Sequence, residues 1–115
     1  MASLRRRSFG DVTLDPRNGW LICGEARVNI RPAVMRLFGA LLDGRGQTQT
    51  AEVLRAAMRK PGNPPVSKGN LRVGIVDLRV ALLTIGSATQ VEARVGYGWR
   101  LTATAPPSLI ATTVA

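Results

Sequence analysis

Between residues 32 and 86 the apolar side chains recur at three- and four-residue intervals in three separate runs, each with its own start and stop signal. Pro32 stands where an opening helical turn tolerates proline, Val34, Leu37, Phe38, Leu41 and Leu42 follow, and Gly44 and Gly46 end the run. Thr50 then caps Ala51-Glu52-Val53-Leu54-Arg55-Ala56-Ala57-Met58, which gives way to the stiff loop Pro61-Gly62-Asn63-Pro64-Pro65. Ser67 caps a third run, in which Leu71, Ile75, Leu78 and Leu82 share one side before Gly86 closes it. Three short amphipathic helices bury their stripes only against one another and against whatever flanks them.

The flanks read as strands. Phe9, Val12 and Leu14 precede a turn at Asp15-Pro16-Arg17-Asn18-Gly19, Trp20-Leu21-Ile22-Cys23 follows, and Gly24-Glu25 turns the chain into Arg27-Val28-Asn29-Ile30. This is an antiparallel meander. After the third helix, Gln90–Val95 and Trp99-Arg100-Leu101 flank Gly96-Tyr97-Gly98, the pattern of a β-hairpin with a glycine turn. The sequence thus predicts a basic N-terminal arm over residues 1–8, a folded domain over 9–102 and a flexible, uncharged, apolar tail over 103–115.

With 115 residues, 45% of them hydrophobic, the chain is long enough for one modest core and too short for two. No apolar run approaches the roughly 20 residues of a membrane span, and the basic start leads into no signal-peptide segment, so no membrane partner and a cytoplasmic location are expected. The single cysteine, Cys23, makes no internal disulfide, and its default is a buried small hydrophobe. With no histidine and seven scattered acids there is no expected metal site, cofactor or acid/base pair, and no enzymatic activity is expected.

Charge points to a polyanionic partner. Sixteen basic residues, nearly all arginine, stand against seven acids, a net charge of +9. Residues 55–100 carry Arg55, Arg59, Lys60, Lys68, Arg72, Arg79, Arg94 and Arg100 against only Asp77 and Glu92, so a nucleic-acid face would be built there. A basic surface that merely keeps the protein soluble is the alternative.

The order of elements, with its details, resembles the effector domain of OmpR/PhoB response regulators across roughly residues 9–102. The resemblance rests on Phe9-Gly10-Asp11-Val12-Thr13-Leu14-Asp15, Gly24-Glu25, Ile30-Arg31-Pro32, Thr50-Ala51-Glu52-Val53-Leu54, Ile75 with Leu78-Arg79 and Leu82, and Gly96-Tyr97-Gly98-Trp99-Arg100-Leu101. It implies an α+β winged helix-turn-helix with N-terminal antiparallel strands, three helices and a C-terminal hairpin wing. It also implies a DNA-binding transcription regulator, here standing alone without a receiver domain. A recognition helix over about residues 68–84 would lie in the major groove and a wing over about 90–101 near the minor groove.

Carried over position by position, the resemblance implies contacts to double-stranded DNA from Lys68, Arg72, Val73, Val76, Asp77, Arg79, Arg94, Arg100, Thr50 and Arg55, with Arg79 gripping phosphate and Val73 touching a thymine methyl. Arg59, Lys60 and Asn63 lie in the loop that can touch RNA polymerase or another regulator. A homodimer on DNA is the remaining expected partner. The pattern departs from the family at Gly69, Gly74 and Val76, where polar phosphate contacts are usual, at Asp77, where a base-reading arginine is common, and at Val95, the usual minor-groove arginine. A helical wheel turns Val73, Val76, Val80 and Asp77 outward, with Lys68, Arg72 and Arg79 along one flank. These valines either touch bases, are covered by the wing, or form a protein-binding patch that would make the domain a protein-interaction module. Trp20 and Trp99 read as packing aromatics.

Overall fold

The computed structural model describes residues 5–103. An antiparallel sheet in sequential order opens the chain: β1 (Arg7–Phe9), β2 (Val12–Asp15), β3 (Trp20–Cys23) and β4 (Ala26–Asn29). Three helices follow, α1 (Pro32–Gly44), α2 (Ala51–Met58) and α3 (Lys68–Thr84), and a hairpin of β5 (Thr89–Arg94) and β6 (Gly98–Ala103) completes the fold. This is an α+β winged helix with the predicted element order.

The expected caps form. The Thr50 and Ser67 hydroxyl oxygens accept from the Val53 and Asn70 backbone N–H groups at 3.3 and 3.1 Å, satisfying donors that the first helical turn leaves unpaired. The stop of α1 is made differently from the expected glycine signal, since it is Arg45 that adopts the left-handed conformation and returns its N–H to the Leu42 carbonyl. Buried side chains from every layer form one core, with Leu37, Phe38 and Leu41 of α1, Leu54 and Met58 of α2, Leu71, Ile75 and Leu78 of α3, and Val12, Leu21 and Leu101 of the strands.

The N-terminal boundary falls earlier than the sequence suggests. Arg7 and Ser8 are strand residues paired with Leu14 and Thr13, and Gly10 turns the chain between two strands where a single strand was expected. Arg7 bonds Asp43 at 2.6 Å and Arg6 reaches Asp15 at 3.4 Å, so two arginines assigned to a basic arm are fastened to the domain. The assigned tail lies outside the described residues except for Ala103, which ends β6.

Candidate nucleic-acid interface

The third helix presents two unlike faces. Leu71, Gly74, Ile75, Leu78, Ala81 and Leu82 are buried, while Val73, Val76 and Val80 are 52%, 55% and 56% exposed and Leu83 is 78% exposed. The wing does not cover the valines. Lys68 and Arg72, at the N-terminal end of the face, are exposed and make no ion pair or hydrogen bond among the described side chains.

Gly74 does not belong to this face, although its position matches a phosphate contact in the related pattern. It is buried, and a Cβ there would come within 2.6 Å of Met58 Cε and 3.2 Å of Leu37 Cδ2. The residue is small because α3 crosses α2 and α1 at this point. A wheel centred on the leucine stripe misses it because a glycine carries no hydropathy signal of its own.

The predicted cations divide into free and engaged groups. Arg79 donates from Nε and Nη2 to the Val91 carbonyl, at 3.2 and 3.0 Å, tying α3 to β5. Arg55 donates to the Val66 carbonyl at 2.7 Å while the Val66 N–H returns a bond to the Arg55 carbonyl at 3.2 Å. Arg36 holds the other end of the same loop through the Met58 carbonyl, at 3.2 and 2.9 Å. The loop between α2 and α3 is therefore pinned at both ends, with Arg59, Lys60 and Asn63 exposed between the pins. These side chains, with Arg31 and Arg36, line a shallow recess of about 340 Å³.

Two acids near the face, Asp77 and Glu92, are neutralised. Asp77 does not stand as a free acceptor, because Arg31, just before α1, donates Nε and Nη2 to its Oδ2 at 3.1 and 2.9 Å. In the hairpin Glu92 pairs with Arg100 at 2.8 Å across the strands and with Arg94 at 3.8 Å along its own strand. Val95 lies in the turn beyond β5, almost wholly exposed beside the exposed Tyr97. The cationic edge of Lys68, Arg72 and Arg79 therefore faces no unpaired carboxylate on α3.

Two further contacts set the wing's position, and neither was read from the sequence. Gln49 and Trp99 exchange backbone bonds, N–H to carbonyl, at 2.8 and 3.0 Å, so the segment before α2 adds a bridge to β6. Asp11 accepts from the Ser87 and Thr89 hydroxyls at 2.5 and 3.1 Å and from the Ala88 N–H at 2.8 Å, stapling the β1–β2 turn to the start of β5. Partial burial raises the Asp11 pKa, but the bonds from Ala88, Ser87, Thr89 and Cys23 outweigh it and bring it down to about 2. Burial first, then the charge and bond of Asp11, push the Cys23 thiol upward, so this half-buried cysteine stays neutral. Trp20 packs flat under Arg27, whose guanidinium carbon lies 4.4 Å from the ring centre.

A sheet leading into three helices, a pinned loop before the third, and a hairpin bridged to the segment before the second define the winged-helix fold of OmpR/PhoB-type effector domains. No family model and no curated protein matches the sequence. Among solved structures, the DNA-binding domain of E. coli CadC superposes with a TM-score of 0.70 at 15% identity, covering 83% of this chain and 89% of that one. The C-terminal domain of the nisin resistance regulator NsrR, a lantibiotic response regulator, gives 0.69 at 24% identity, over 87% and 96%. The Klebsiella pneumoniae RstA DNA-binding domain, solved in complex with the RstA box, gives 0.67 at 22% identity, over 87% and 99%. At these identities the likeness is one of fold. No described helix is long and apolar enough to cross a membrane.

Proposed function

We propose that this domain binds double-stranded DNA as a transcription regulator, with α3 in the major groove and the β5–β6 hairpin against the flanking backbone. The observation that carries the reading is the exposed face of α3, where Lys68 and Arg72 stand without ion-pair or hydrogen-bond partners among the described residues and the helix's one carboxylate, Asp77, is paired to Arg31. A helix fits the major groove, and unpaired cations at its edges neutralise phosphates. The similar domain of RstA was solved on DNA, which supports the same placement here.

Within this reading Lys68, Arg72 and the unused Nη1 of Arg79 grip phosphate, and Thr50 keeps its hydroxyl proton for a backbone oxygen while its own oxygen caps α2. Arg94 and Arg100 share Glu92, so the wing contributes one net positive charge from these three residues. Arg55 serves as a fastener of the loop.

The test is fluorescence anisotropy with duplex DNA at several salt concentrations. Affinity should fall steeply with salt, with a slope of about −0.9 for each phosphate neutralised. Failure to bind duplex at low salt rejects the reading. The cationic recess at Arg59, Lys60 and Asn63 supports a second reading, in which the domain docks an acidic surface of RNA polymerase or another regulator. That reading predicts capture of the protein partner without DNA.

A further inference from the structure

The outward face of α3 is peculiar for a surface that meets bases, because its centre offers no hydrogen-bonding side chain. Val73, Val76, Val80 and Leu83 run along it for about 15 Å of helix axis, with Gly69 continuing the line toward the N-terminus. Even the neighbouring Thr84 is unavailable for recognition through its proton, since its hydroxyl donates to the Val80 carbonyl at 2.8 Å. Polar groups sit only at the edges, with Lys68, Arg72 and Arg79 on the side toward the wing and Asp77, held by Arg31, on the side toward α1.

We infer that this stripe reads thymine, through its 5-methyl group, and that the domain prefers duplexes whose major groove carries a row of thymine methyls. The inference rests on the DNA-binding reading above and specifies what the face recognises. Guanine and adenine are distinguished in the major groove by acceptor and donor atoms, which valine cannot engage, and burying them under valine leaves them unsatisfied. The thymine methyl is the one apolar feature that the groove edge presents. A protein partner fits less well, because four aliphatic side chains fall far short of the roughly 800 Å² per side of a standard interface. The cationic edge beside the stripe complements phosphate.

The test compares an alternating adenine–thymine duplex with the same duplex made with deoxyuridine, which lacks only the methyl, at fixed salt. Removing each covered methyl should weaken binding by about fourfold. A guanine–cytosine duplex should gain affinity when its cytosines are 5-methylated, since that methyl occupies the corresponding groove position. In the variant Val73→Ser with Val76→Ser, two exposed positions where the fold is not at stake, the preference for the thymine over the deoxyuridine duplex should shrink by about fourfold for each methyl that these two valines cover. Equal affinity of the unaltered protein for the two, with salt-dependent binding intact, overturns the inference and leaves the DNA reading standing. Discrimination that is undiminished in the double variant also overturns it, because methyl-dependent duplex stiffness is then the cause. Absence of binding to every duplex at low salt removes both.

Discussion

Arg79 and Val91 join α3 to β5: both Nε and Nη2 of the arginine point at one backbone carbonyl, at 3.2 and 3.0 Å. A residue expected to grip phosphate is therefore also a clamp. Arg79→Ala should lower stability by about 1 kcal/mol, a melting-temperature loss of roughly 4–8 °C, and should weaken binding to all duplexes about equally. Arg79→Lys restores the charge without the two-pronged bond. It should recover most of the salt slope and little of the stability, by anisotropy and thermal denaturation of the same samples. Recovery of both together would mean that the clamp contributes nothing.

Gly98 has a φ of +150°, and a Cβ there would overlap the Gln49 carbonyl oxygen and approach Thr50 Cα to 3.0 Å. These are backbone atoms of the bridge that attaches the wing to the segment before α2. Gly98→Ala should cost more than about 3 kcal/mol, since no side-chain adjustment relieves it. Gly96, at φ +82° with open space around it, is the control, and Gly96→Ala should cost only about 1–2 kcal/mol. Equal losses in urea denaturation would exclude the close approach as the cause.

The wing turn was legible because Gly96-Tyr97-Gly98 is a local signal, whereas the Gln49–Trp99 bridge joins backbones fifty residues apart and leaves no side-chain pattern. Helix starts at Pro32, Thr50 and Ser67 were legible for the same local reason, and the outward turn of Val73, Val76 and Val80 followed from helical period. Charge state was not. Whether Arg72 or Arg31 is free depends on which carboxylate the fold brings near, and Asp77 meets Arg31 from another helix's N-cap position. For Gly74, the pattern of related domains suggested a surface position, and packing against Met58 decided otherwise.

Asp11 ties the β1–β2 turn to Ser87, Ala88 and Thr89, and its pKa is brought from 3.8 to about 2. A folded-state pKa below the unfolded value means that the unfolded chain takes up the proton first on acidification. The staple's contribution is thus complete above about pH 4 and is lost as pH falls toward 2. Asp11→Asn should flatten that part of the stability profile and cost about 1 kcal/mol at neutral pH, at the low end for a charged acceptor because the group is exposed. An unchanged acid limb in the variant, followed by circular dichroism, would assign the transition to other carboxylates such as Asp15, whose pKa is lowered chiefly by the Asn18 amide.

Asp77 and Arg31 form an ion pair on the outward side of α3, with half-exposed side chains and an Nη2–Oδ2 distance of 2.9 Å. Pairs at such exposure contribute at most about 1 kcal/mol, so Asp77→Asn should leave the melting temperature nearly unchanged. Its effect on binding should be larger. The substitution removes a negative charge from the exposed face of α3 and releases the Arg31 guanidinium, raising the net positive charge of that face by one. Binding to all duplexes should tighten on the order of fivefold at low salt, with the salt slope steeper by about 0.9 if Arg31 then takes a phosphate. Arg31→Ala in the same background should return the slope to its starting value. A shift in base preference without a change of slope would instead make Asp77 a reader of cytosine amino groups, with Arg31 as its orienting partner. Measuring slope and preference on both variants separates a charge held in reserve from a base contact.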